Sequence, residues 1–271
     1  MPASPSSDGD TITTPDVLTE RVDHVLIITF NRPERMNSIG GNVISLLSEI
    51  FLEAEHDQEI RALVLTGAGR AFCSGLDLKD VSSGSTNFTD TSTGFKINET
   101  PPFVMRRMDT PIVCALNGAA AGYGMDLALG CDFILASERA RFVPPVRRGV
   151  IPESGGTWLL PRLVGWHKAC EITLLARPLE APDIERLGLA NRVVSHDALM
   201  GEAISWAHEL AANAPLAVAA AKRSMRLGLD STFEANSNAV MAELIQLFRS
   251  EDFKESLIAF MEKRPARFEG R

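Results

Sequence analysis

The stretch Asn117–Asp132, NGAAAGYGMDLALGCD, decides how the chain is read. It follows directly on an apolar, β-type run, Ile112 to Leu116, and leads into the helix-like MDLALG, whose first turn carries Asp126. A strand that breaks on small residues and re-forms as a helix leaves backbone N–H groups unpaired at the helix start, where partial positive charge gathers. Such a place suits a developing anion. Small residues also serve tight strand–helix packing, so the motif taken alone carries two readings.

Outward from this stretch, strand and helix patterns alternate. Upstream, Val22 to Phe30 is rich in β-branched residues and reads as one strand, ended by the turn Asn31-Arg32-Pro33. Val43, Leu46, Leu47, Ile50, Phe51 and Ala54 fall at helical spacing, and Ala62 to Leu65 reads as a short buried strand. Strand, helix, strand in that order implies parallel pairing through a crossover. Pro101 to Met108 reads as a helix. Downstream, Asp132 to Ala136 reads as a strand, and the Pro- and Gly-dense segment Arg141 to Thr157 as irregular backbone. Helical runs follow around Trp158 to Leu163 and Trp166 to Ala176, then a short helix opened by Pro182 and a last strand from Asn191 to Ser195. Beyond Asp197 the pattern is helical throughout, with breaks at Ala214-Pro215 and near Leu229 to Ser231.

These patterns divide the chain into an N-terminal tail over residues 1–15, an α/β core over 16–196 and a helical lobe over 197–271 that packs on its own core or on a neighbouring subunit. The tail has neither a basic nor an apolar presequence pattern and reads as disordered. Ser82 to Thr100, rich in Ser, Thr, Gly and Asn, reads as a long loop that shapes a binding site.

Composition narrows the function. The 271 residues are 45% apolar and 6% aromatic, as in a globular enzyme, and the net charge of −8 with no basic stripe argues against nucleic-acid binding. No run of eighteen apolar residues is present, so no membrane span is expected. Cys73, Cys114, Cys131 and Cys170 lack metal or disulfide spacing, which points to a reducing, cytoplasmic setting. GxSxG and GxxxxGK[ST] are absent, and the five histidines are scattered without ligand spacing.

Six segments, in order, resemble the crotonase superfamily of enoyl-CoA hydratases and isomerases: NRPERMNS (Asn31 to Ser38), RAFCSGLDLKD (Arg70 to Asp80), PIVCALNGAAAGYGMDLALGCD (Pro111 to Asp132), RRGVIPESGGTWLLPRLVG (Arg147 to Gly165), GLANRVV (Gly188 to Val194) and FMEKRPARF (Phe260 to Phe268). The resemblance implies a spiral of ββα units with a C-terminal helical oligomerisation lobe, assembled as a homotrimer or dimer of trimers. It implies an acyl-CoA substrate, with coenzyme A as part of the substrate and no further cofactor. Carried over position by position, the N–H groups of Leu76 and Tyr123 are the two donors of an oxyanion hole. Ser74, Asp77, Leu78 and Lys79 accompany Leu76 in the substrate segment, and Arg35, Lys79 and Lys263 stand where CoA phosphates are met.

Two acids remain to be placed. Asp126 occupies the position of one hydratase glutamate, one methylene shorter, and an acid in a first helical turn is also favoured by the helix dipole alone. The second hydratase glutamate would fall at Pro144 to Val146, where no acid stands. Glu153 instead occupies the position of the acid in some family isomerases, and apolar Trp158 and Val150 beside it would raise its pKa; otherwise it starts a helix or pairs with Arg147 or Arg148. The expected activity is enolate chemistry that adds water to, or shifts the double bond of, an enoyl-CoA. Thioester hydrolysis and a non-catalytic acyl-CoA-binding protein are the alternatives.

Overall fold

The structure, a computed structural model, describes residues 15–77, 79–80 and 97–271. The expected N-terminal tail up to residue 14, Leu78 and most of the loop expected at 82–100 lie outside the described residues.

Two sheets form the core. The larger contains β1 (Val17–Val22), β2 (Val25–Phe30), β3 (Ala62–Gly67), β5 (Ile112–Leu116), β7 (Phe133–Ser137) and β10 (Arg192–Val194), in that spatial order. The smaller contains β4 (Ala71–Cys73), β6 (Ala119–Ala121), β8 (Arg141–Val143) and β9 (Leu179–Glu180). From β3 onward the chain places one strand in each sheet in turn, β3 then β4, β5 then β6, β7 then β8, and each step advances one position in both sheets. Helix α3 (Tyr123–Leu129) closes the second such turn and α4 (Gly156–Val164) follows the third, which makes a spiral of ββα units. β2 and β3 pair in parallel across α1 (Val43–His56), as the strand–helix–strand order requires.

One expected strand is a hairpin. Val22 to Phe30 does not run straight: Asp23 takes a left-handed φ of 52°, and Val22 returns opposite Val25. Aspartate tolerates that conformation at a turn. The partner strand β1 escaped the pattern because Leu18 to Glu20 and Arg21 are exposed and only Val17 is buried.

The larger sheet is apolar on both faces, as parallel sheets are when both are covered. Ile28, Phe30, Leu63, Leu65, Ile112, Cys114 and Leu116 face one cluster, which also takes up Leu47 and Phe51 of α1 and Met105 of α2 (Pro101–Arg107). The alternate residues Val25, Ile27, Ala62, Val64, Val113, Ala115 and Leu135 face a second cluster. The second cluster is closed by Leu199, Ala203, Ala207 and Ala211 of α7 (Leu199–Ala211). The first helix beyond Asp197 therefore packs on its own sheet.

After α5 (Trp166–Leu175) and α6 (Ala181–Arg186), the remaining helices are α8 (Pro215–Gly228), α9 (Phe233–Leu247) and α10 (Glu251–Glu262). Helix α8 is fastened to the core by ion pairs from Lys222 to Asp132 and from Arg223 and Arg226 to Asp109. Outward, the lobe exposes Met225, Phe233, Met241, Phe260 and Met261.

Candidate active site

The small residues of the Asn117–Gly124 stretch bring two backbone segments together. β4 ends on Cys73, and the chain then runs beside the Arg35–Ile39 segment: Ser74 N–H donates to Met36 O at 3.1 Å, Ile39 N–H to Gly75 O at 2.8 Å and Asp77 N–H to Ile39 O at 2.8 Å. This is a parallel bridge between Ile39 and Leu76. In such a bridge the groups of residues 75 and 77 face the partner, so the N–H of Leu76 points the other way. Among the described residues it has no backbone acceptor.

The second segment is β6 and the start of α3. Gly122, at φ 50°, donates its N–H to Val143 O at 3.1 Å, and Tyr123 begins the helix, where an N–H lacks an intrahelical partner. The two segments touch at Gly75: a Cβ there would lie 2.7 Å from Ala121 O and 3.6 Å from Tyr123 N, and Gly75 itself sits at φ 85°. One residue beyond Tyr123, a Cβ on Gly124 would strike Cys73 O at 2.2 Å. The tight-packing reading of the motif holds, and that packing brings the N–H groups of Leu76 and Tyr123 close to each other.

That place is the wall of a cavity of about 670 Å³. Ser74, Gly75, Leu76, Ala121, Gly122 and Tyr123 line one side, and Ile44 of α1 with Thr100, Pro102 and Phe103 at the start of α2 line another. Val143 to Pro145 and Arg148 to Ser154, less Pro152, complete it. The helix α2 contribution was not visible in sequence, because nothing local ties Phe103 to Gly75. Arg148 also lines the cavity and was not singled out.

Glu153 is the one acid among the described residues that lines this cavity. It is exposed to the cavity, it forms no ion pair with Arg147 or Arg148 among the described residues, and α4 starts only at Gly156. Partial burial raises its pKa above the ordinary carboxylate value. Val150 is part of the same wall, whereas Trp158 stacks with Arg106 and Arg162, their guanidinium carbons 4.8 and 3.9 Å from the ring centre.

Asp126 lies behind the wall, only 2% exposed. Its Oδ2 accepts the N–H of Ser154 at 2.9 Å. Burial pushes its pKa up to about 7, against the opposing pull of the Ser154 and Gly156 N–H groups and with a further push from the charge of Glu153. Tyr123 is buried too, and its hydroxyl has no hydrogen-bond partner among the described residues.

The expected CoA-contacting residues divide. Ser74 lines the cavity. Asp77 turns inward and accepts from Ser38 Oγ at 2.9 Å, Arg35 Nη1 at 3.0 Å, Arg32 Nη2 at 3.4 Å and the Lys79 N–H at 3.1 Å. Burial by itself would raise the Asp77 pKa, but the Arg35, Ser38 and Lys79 donors and the Arg35 charge outweigh it and bring the pKa to about 2. Arg35 is thereby paired with Asp77 and Asp80 at the surface. Lys79 is exposed, Lys263 is exposed at the end of α10, and Leu78 lies outside the described residues. No group of three His, Cys, Asp or Glu among the described residues could hold a metal ion.

Fold and cavity together describe an α/β protein in which Leu76, Tyr123 and, alone among the described acids, Glu153 line one cavity. A family model described as enoyl-CoA hydratase/isomerase matches residues 20–271, and the chain belongs to that family of enzymes. It is 35% identical over 251 residues to the 1,2-epoxyphenylacetyl-CoA isomerase of Escherichia coli, covering 91% of this chain and 95% of that one. It is 33% identical over 254 residues to the short-chain-enoyl-CoA hydratase of Clostridium acetobutylicum, covering 92% and 95%. Among solved structures, the enoyl-CoA hydratase of Bacillus anthracis superposes with a TM-score of 0.89 at 30% identity, over 95% of this chain and all of that one.

Proposed function

We propose that the protein forms an enolate from a CoA thioester and shifts the double bond of an enoyl-CoA. The N–H groups of Leu76 and Tyr123 receive the thioester oxygen, and Glu153 carries the proton. The observation that supports this reading is that Glu153, alone among the described acids, lines the cavity that Leu76 and Tyr123 also line.

The steps follow from that arrangement. The Glu153 carboxylate takes the α-proton of a 3-enoyl thioester, and the electron pair of the broken C–H bond spreads onto the thioester oxygen and the γ-carbon. Two prepositioned donors stabilise that oxygen more in the transition state than in the ground state. The Glu153 carboxylic acid then returns the proton at the γ-carbon, leaving a 2-enoyl thioester and the original carboxylate. A raised pKa suits a group that must both take and give a proton near neutrality. CoA is part of the substrate, and no other cofactor takes part.

Hydration is the second reading, favoured by the likeness to the short-chain-enoyl-CoA hydratase. It asks for a second proton-handling group, and Pro144 and Pro145 line the cavity where the family's second acid was expected. Incubation with 2-enoyl- and 3-enoyl-CoA esters in deuterated water, read by mass spectrometry, separates the possibilities. A shifted double bond with deuterium incorporation supports the proposal, and a mass gain of one water indicates hydration. Free CoA thiol would show hydrolysis, and no exchange at all a binding protein; either overturns it.

The helical lobe, with Phe233, Met241, Phe260 and Met261 facing outward, is suited to joining copies into a homotrimer or dimer of trimers. No helix among the described residues is long and apolar enough to cross a membrane, and all four cysteines are free. A cytoplasmic setting fits free thiols.

A further inference from the structure

Helix α4 begins without a cap of its own. Its N-cap is Gly155, at φ 117°, which offers no side chain to the first N–H groups of the helix. The missing acceptor comes from another helix. Asp126 of α3 receives the Ser154 N–H on Oδ2 at 2.9 Å, just ahead of the helix, and its carboxylate lies against Gly156, the first helical residue. The fit leaves no slack, because a Cβ on Gly156 would come within 2.2 Å of Asp126 Oδ1. Glu153 immediately precedes the residue so held. Asp126 itself does not line the cavity.

We propose that Asp126 is a positioning residue: it caps the turn before α4 from across the fold and so aims the Glu153 carboxylate at the substrate, without touching the substrate itself. This rests on Glu153 being the proton carrier. It accounts for an aspartate at the position, since the extra methylene of glutamate would drive the carboxylate into Gly156 or displace the turn.

A double-mutant cycle tests the assignment. Glu153→Gln, Asp126→Ala, Asp126→Asn and the Asp126→Ala/Glu153→Gln double variant are compared for kcat and KM in double-bond isomerisation, with butyryl-CoA binding measured by calorimetry. Asp126→Ala and Asp126→Asn are expected to lower kcat by about tenfold or more while KM and the butyryl-CoA Kd stay within about threefold. In the Glu153→Gln background, Asp126→Ala should cost almost nothing further, because a group that acts through Glu153 has nothing left to aim. If the double variant instead falls by the product of the two single effects, Asp126 moves protons itself and the positioning role is overturned. If Glu153→Gln alone keeps normal turnover, the proposed reaction fails first, and that result is separate from the cycle. Unchanged butyryl-CoA affinity in Asp126→Asn guards against a mere loss of fold, and wild-type kcat in that variant also overturns the role.

Discussion

Gly75 abuts Tyr123: a side-chain carbon on Gly75 would stand 3.6 Å from the Tyr123 nitrogen and 2.7 Å from the carbonyl of Ala121. The closeness of these two residues, one after each of two neighbouring strands of the smaller sheet, brings the N–H groups of Leu76 and Tyr123 into one cavity. Gly75→Ala must therefore part the two segments. Alanine at φ 85° with that contact is expected to cost about 1 to 3 kcal/mol in stability. It should also lower kcat by about tenfold or more, since losing one oxyanion donor costs about 3 kcal/mol. Thermal unfolding and steady-state kinetics measure the two effects, and wild-type turnover in Gly75→Ala would separate the glycine from the chemistry.

Asp77 ties the Arg32–Ser38 segment to the strand that ends beside Leu76. Removing it by Asp77→Ala leaves Arg32, whose side chain is 11% exposed, without this counter-charge. Breaking a buried pair from one side is expected to cost about 3 kcal/mol, read by urea unfolding. Its pH signature has a definite sign. The folded pKa of about 2 lies below the unfolded value, so the Asp77 contribution is complete above about pH 4 and is lost as pH falls toward 2. The wild-type advantage over Asp77→Ala should shrink across that window.

Asp126 behaves in the opposite way. Its folded pKa of about 7 lies above the unfolded value, so the native state holds the extra proton between about pH 4 and 7. Stability then falls as pH rises through that range and levels off above it. Wild type should lose stability relative to Asp126→Asn from pH 4 to 7. Urea unfolding at stepped pH measures the difference, and a difference that does not change with pH contradicts the raised pKa.

How far sequence reached depends on how local each cause is. Helix α1 was legible because Val43, Leu47, Phe51 and Ala54 repeat at helical spacing and are all buried. The strands β6 and β9, three and two residues long, were not, because so few residues carry no alternation. β1 was missed because a strand exposed over most of its length looks like a surface loop. At the site, Leu76, Tyr123 and Glu153 could be placed from motif order, and they line one cavity. Asp77 could not be told from a substrate contact, because its partners Arg32, Arg35 and Ser38 meet it across about forty residues of chain. The burial of Asp126 under the Ser154 turn was hidden for the same reason.

The central claim is that one cavity-facing carboxylate carries the proton. Its most direct measurement is the turnover of Glu153→Gln in double-bond isomerisation of a 3-enoyl-CoA ester, with α-deuterium exchange followed in the same reaction. The amide keeps the size of the side chain and cannot accept the proton, so both rates should fall by at least about a hundredfold. Turnover and exchange near wild type in that variant would contradict the account.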